Sequence, residues 1–133
     1  MTGHIPAGCE KHAEKLDMRR LKVLVVDDEP ELADVAGALM SAYGIANRIA
    51  YSAADALSAL ADDPAINAVF SDIMMPEATG IELAQAVKRL YPTVRIVLTS
   101  GYTAPELAIT YEAFCLYTPK PYLIETVIDL LRR

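Results

Sequence analysis

A doubly wound α/β domain, with one parallel sheet covered by helices on both faces, is the fold class this sequence predicts. Three observations lead to it. Short β-branched and apolar runs alternate with segments of 3.6-residue apolar period, five of each across residues 21–133. The 133 residues suffice for one hydrophobic core but not for a second module of ordinary size. Acidic, hydroxyl or basic residues close four of the five runs, at the strand ends where ligands collect in such sheets.

The first run, Leu21 to Val26, reads as a buried strand and stops at Asp27-Asp28-Glu29-Pro30. Pro30 suits a first helical turn and the acids suit its positive end. The next helix carries Leu32, Val35, Ala36, Leu39, Met40 and Tyr43 at helical spacing, expected to face inward, and Gly44 ends it. Asn47 to Tyr51 is the second strand, and Ser52 caps a helix reaching Ala61. Ile66 to Ser71 is the third strand, ending at Asp72. A loop with Pro76 and Gly80 then leads into a helix whose inward stripe is Ile81, Ala84, Val87 and Leu90. Val94 to Leu98 is the fourth strand, with Thr99-Ser100-Gly101-Tyr102 as a loop and Ala104 to Glu112 as a short fourth helix. Phe114 to Thr118 is the fifth strand, before Pro119-Lys120-Pro121 and a closing helix from Tyr122. Right-handed crossovers put these helices on both faces. Strand order 2-1-3-4-5 is one of two common solutions, and periodicity alone does not choose between them.

Charge is uneven along the chain. Twelve Lys and Arg against 18 Asp and Glu give a net charge of −6. Residues 1–20, with four basic and three acidic side chains, read as an extension to the domain at 21–133, which holds eight basic against fifteen acidic. An acidic body argues against direct nucleic-acid binding, which needs a positive footprint. Cys9 and Cys115 form no spaced framework, and His4 and His12 fit no metal-ligand spacing, so a reduced, cytoplasmic chain is the simplest reading. No run approaches a membrane span and residues 1–20 lack a signal-peptide core.

The fold gathers the residues at the end of each strand: Asp27 and Asp28 after the first, Asp72 after the third, Thr99 after the fourth, Lys120 after the fifth. Three close carboxylates repel unless a cation joins them, and hard oxygen ligands select Mg²⁺ or Mn²⁺. With two acids neutralised, the third can offer an oxygen to a phosphoryl group whose own oxygens meet Lys120 and Thr99.

Val25-Val26-Asp27-Asp28-Glu29, Ser71-Asp72-Ile73-Met74-Met75-Pro76, Leu98-Thr99-Ser100-Gly101-Tyr102 and Pro119-Lys120-Pro121-Tyr122 together resemble the receiver domain of two-component response regulators. The resemblance covers residues 21–133 and implies a flavodoxin-like fold of five helices with strand order 2-1-3-4-5. It implies Asp72 as phosphoacceptor, with Asp27, Asp28, Asp72 and the Met74 main-chain carbonyl around Mg²⁺ (or Mn²⁺). It implies that Lys120 pairs with the acceptor or its phosphate, that Thr99 bonds the phosphoryl group, and that Tyr117 stands at the switching aromatic. Thr79 departs from the family, where many members carry Asp. The implied phosphodonor is a sensor histidine kinase or a histidine phosphotransfer protein. The implied output surface is the fourth helix, fifth strand and fifth helix, where Leu123 and Leu130 lie off the inward stripe as a partner or homodimer face. Tyr102, Tyr111 and Tyr122 are scattered aromatics of a kind common without a partner.

The expected function is therefore a switch, catalysing only its own modification rather than turning over a metabolite as an enzyme does. It acts through protein contacts, either alone or as a module of a larger hybrid kinase or regulator. A phosphohydrolase would need a second acid two residues past the nucleophile, where Met74 stands. A phosphorylation-independent interaction module of the same fold is the remaining alternative, and its usual mark, a missing acceptor, acid or lysine, is absent.

Overall fold

The computed structural model describes residues 20–101 and 116–133. Its strands are β1 (Lys22–Val26), β2 (Ala46–Ala50), β3 (Ala68–Asp72), β4 (Arg95–Ser100) and β5 (Leu116–Pro119). The helices among the described residues are α1 (Pro30–Ala42), α2 (Ala53–Asp62), α3 (Gly80–Leu90) and α4 (Ile124–Leu131). All strand pairs are parallel, in the order β2-β1-β3-β4-β5. The expected helix at 104–112, the start of the fifth strand at Phe114, Cys115, Tyr102, Tyr111 and residues 1–19 with Cys9, His4 and His12 lie outside the described residues.

Alternation along each strand sends successive side chains into two cores. Val23, Val25, Ala68, Phe70 and Val97 meet α1 and α4 on one face, whereas Leu24, Val26, Val69, Ile96 and Leu98 meet α2 and α3 on the other. Burial of both faces is why these strands read as continuous apolar runs rather than alternating ones. Among the described residues, no helix is long and apolar enough to cross a membrane.

The helix boundaries follow local chemistry. Ser52 caps α2 by accepting from the Asp55 N–H. Gly44, at φ 77°, takes the left-handed turn that ends α1. Thr79 and Glu82 form a reciprocal capping box at the start of α3, so the residue that departs from the family pattern serves here as a helix cap.

Two apolar faces differ from expectation. In α1 the buried residues are Ala33, Ala36, Gly37 and Met40, while Leu32, Val35, Leu39 and Tyr43 are exposed. At Gly37 the helix lies too close to the sheet for a side chain: a Cβ there would stand 2.9 Å from both Asn47 Oδ1 and Ile49 Cδ1. In α3, Ile81, Ala84 and Val87 are buried as expected, but Leu90 is exposed and Leu83 joins the core. Near α4, Leu130 packs partly against the core, whereas Leu123 is exposed.

At the opposite end of the sheet from the strand-end acids, the Lys22 ammonium pairs with Asp63 Oδ2, tying β1 to the residue that ends α2. That hydrogen bond holds the Asp63 carboxyl below its ordinary value of 3.8. A depressed acid stabilises the fold above its unfolded-state value and loses that contribution as pH falls through the folded-state value. Asp63→Asn keeps an oxygen for the Ala65 N–H but removes the charge. In urea titrations the gap between wild type and Asp63→Asn is expected to be constant near neutral pH and to close in acid. A gap independent of pH would contradict this assignment.

Candidate functional site

The site lies where β1, β3, β4 and β5 end. Asp27 follows β1 directly, Asp72 is the last residue of β3, Thr99 lies within β4, and Lys120 follows β5 directly. The fourth strand runs two residues further than its hydropathy suggests, so Thr99 belongs to the ladder and not to a loop. In that ladder Thr99 stands directly opposite Asp72, and the Ile73 N–H donates to the Thr99 carbonyl at 2.8 Å.

Asp27 and Asp72 are held by the same device. Each carboxylate turns Oδ1 back onto the main chain two residues ahead, accepting from the Glu29 N–H at 3.0 Å and from the Met74 N–H at 3.0 Å respectively. This local turn is one that aspartate favours. Each then presents Oδ2 to Lys120, whose Nζ lies 2.9 Å from Asp72 and 3.6 Å from Asp27. The Lys120 main chain is secured by its N–H donating to the Ser100 carbonyl at 3.0 Å, and the Lys120–Pro121 peptide is cis.

Asp28 completes the cluster. Carboxylate oxygens of Asp27, Asp28 and Asp72 all lie within 4.8 Å of one another. Asp27 and Asp72 are buried and Asp28 is half-buried. Burial pushes the Asp27 carboxyl up, and the charges of Asp72 and Asp28 add to this against the Glu29 hydrogen bond and Lys120. Burial alone would lower the Lys120 ammonium, but the Asp72 hydrogen bond and the charges of Asp72 and Asp27 hold it up, so the cation is retained.

Three carboxylates against one ammonium leave two uncompensated negative charges, which one divalent cation would balance. The donors are hard oxygens converging from two strand ends, and this set fits Mg²⁺ or Mn²⁺. The Met74 main chain is drawn against Asp72 by its N–H, while the Met74 side chain is exposed.

Thr99 Oγ1 is a buried hydroxyl with no hydrogen-bond partner among the described residues. Left without a partner, such a group costs about 1–3 kcal/mol. Thr99→Val keeps the shape and strand preference without the hydroxyl. It is expected to leave unmodified stability equal or up to about 1 kcal/mol higher, and to remove most of any stabilisation that a phosphodonor confers. Urea midpoints of both proteins, with and without acetyl phosphate, check this; a variant that is clearly destabilised without phosphodonor would contradict it.

Two aromatics separate at this end of the sheet. Tyr117 packs, half-buried, on the α2 and α3 side of the sheet. Tyr122 packs on the other side, edge-on to Phe70 with ring centroids 5.1 Å apart and planes at 88°. Tyr122 is thus part of a core contact, which residue spacing alone does not indicate. Burial raises its hydroxyl pKa, while the opposing charges of Lys120, Asp27 and Asp72 all act on it.

Comparison with known proteins gives a consistent result. The response regulator receiver domain model matches residues 23–116. An NtrX-like response regulator of Rickettsia bellii is 28% identical over 120 residues, covering 87% of this chain and 25% of the relative. The transcriptional regulatory protein CpxR of Escherichia coli K12 is 30% identical over 117 residues, covering 84% of this chain and 50% of the relative. This chain therefore spans a quarter to a half of the length of these relatives. The crystal structure of the receiver domain of NtrX from Brucella abortus superposes with a TM-score of 0.73 at 30% identity, covering 80% of this chain and 92% of that one.

Proposed function

This chain belongs to the response regulator receiver domain family, and we propose on that footing that it is a phosphoacceptor switch with Asp72 as the acceptor. The observation that carries the reading is the buried Thr99 hydroxyl, directly opposite Asp72 in the β3–β4 ladder and without a hydrogen-bond partner among the described residues. A phosphoryl group on Asp72 would supply acceptor oxygens for this hydroxyl.

The Asp72 carboxylate attacks phosphorus as the N–P bond of a phosphohistidine breaks, and the bond's electron pair leaves on the imidazole. Lys120, already bonded to Asp72 Oδ2, is placed to take up negative charge on the transferred oxygens. The Glu29 and Met74 N–H groups hold the two buried carboxylates in fixed orientations, so little reorganisation is needed when the donor arrives. Asp27, Asp28, Asp72 and the Met74 carbonyl would hold Mg²⁺ or Mn²⁺, and the ion would neutralise the approaching charges.

Afterwards Thr99 turns to the phosphoryl oxygens, and Tyr117 responds on the other side of β5 as the switch aromatic. The donor is a sensor histidine kinase or a histidine phosphotransfer protein. The signal leaves through a protein contact at β5, α4 and residues 104–112, a surface that also serves a homodimer. The chain modifies itself rather than turning over a metabolite, makes no direct contact with nucleic acid or membrane, and works in the cytoplasm, alone or within a larger regulator or hybrid kinase.

Intact mass after incubation with acetyl phosphate and Mg²⁺, with a chelator control, tests the reading. The expected result is one phosphoryl group gained only with metal. A folded protein that gains none would instead favour an interaction module independent of phosphorylation.

A further inference from the structure

We infer that the Phe70–Tyr122 ring pair is a positioning device that sets how Lys120 meets Asp72; the inference rests on the reading of Asp72 as phosphoacceptor. Phe70 precedes Asp72 by two residues in β3, so both side chains leave the strand on the same face. Tyr122 follows Lys120 by two residues, across Pro121. The two rings stand edge to face at 5.1 Å. One contact thus joins the acceptor strand just before its acid to the loop just after its lysine, and the Lys120–Asp72 hydrogen bond at 2.9 Å runs between the same two segments.

The anchoring is unequal, which gives the pair a direction. Phe70 is buried in the core with Val25, Val97, Ile124 and Val127 and sits within the β3 ladder. Tyr122 lies between the end of β5 at Pro119 and the start of α4 at Ile124, outside the ladder. On the strand side Lys120 is held by its N–H to Ser100, and on the far side the Tyr122 ring closes the brace. The ring face and edge do this work, so the hydroxyl is dispensable. Tyr122 therefore acts through Lys120 and is a positioning residue.

The test compares phosphoryl uptake from acetyl phosphate with Mg²⁺ for wild type, Tyr122→Phe, Tyr122→Leu, Phe70→Leu and the double Leu variant, all well below their melting temperatures. Tyr122→Phe is expected to stay within about twofold of wild type. Tyr122→Leu is expected to fall about tenfold in maximal rate, with the half-saturating acetyl phosphate concentration unchanged, and the double variant to be no slower than the slower single. Uptake by Tyr122→Leu at the wild-type rate, equal losses in Tyr122→Phe and Tyr122→Leu, or single losses that multiply in the double would each overturn the inference. If Phe70→Leu does not fold, the Phe and Leu variants of Tyr122 decide it. Wild type that takes up nothing overturns the acceptor reading itself, a result distinct from these.

Discussion

Asp72→Asn is expected to gain no phosphoryl group from acetyl phosphate under conditions where wild type gains one, while remaining as well folded as wild type. The asparagine keeps an oxygen for the Met74 N–H, so the turn after β3 survives. What it removes is the anionic nucleophile and the charge that Lys120 bonds. A retained fold is itself informative, because most buried ion pairs are costly to break from one side. Here Lys120 keeps a second acid, Asp27, at 3.6 Å, and Asp28 remains nearby. Removing one of three mutually repelling carboxylates also relieves the charge contribution that raises the Asp27 carboxyl. Intact mass and a urea titration on the same samples read both parts. Uptake by Asp72→Asn equal to wild type would move the acceptor to another residue, and unfolding would show that Asp72 is held for structure.

Gly80→Ala is expected to destabilise the protein by about 3 kcal/mol and to slow phosphoryl uptake at least tenfold. The loss of stability runs against what local sequence suggests, because alanine in a helix interior normally gains about 1 kcal/mol over glycine. Gly80 is the first residue of α3, capped by Thr79, and its N–H donates to the Ile73 carbonyl at 2.9 Å. A Cβ there would collide with the Asp72 carbonyl oxygen and stand 2.9 Å from its carbonyl carbon. Those atoms are backbone, so no side-chain rotation relieves the clash. Either α3 moves away from the sheet or the end of β3 moves, and the second displaces Asp72 from Lys120 and Thr99. Denaturant midpoints and uptake rates check the two effects separately. A Gly80→Ala protein more stable than wild type would show that the backbones do not approach this closely.

Much of the site is legible in the sequence, for a physical reason. A buried parallel strand is a near-continuous apolar run, so the residue that breaks it is conspicuous, and in this fold the run ends converge. Asp27, Asp28, Asp72 and Lys120 stand out in that way, and so does Thr99, although the strand extends beyond it to Ser100. The paired carboxylate turns onto Glu29 and Met74 have a signal too, an aspartate at or just past the end of each strand. Hydropathy misreads the inward face of α1 because it ranks Leu32, Val35 and Leu39 above Ala33, Ala36 and Gly37. Close approach to β2 reverses that ranking: where a helix nearly touches a sheet, volume decides which face turns inward.

Local residue pattern was enough for the described elements, the two-sided burial of β1, β3 and β4 and the identity of the charged groups at the strand ends, since these depend on local period and on where apolar runs stop. Packing in three dimensions settled the register that sets the Thr99 hydroxyl opposite Asp72, the face of α1 that turns inward at Ala33, Ala36 and Gly37, the contact of Gly80 with the Asp72 backbone, and the pairing of Phe70 with Tyr122. Each of these joins segments separated along the chain at distances of a few ångströms, and such distances follow from how helices and strands pack, which no local pattern of residues records.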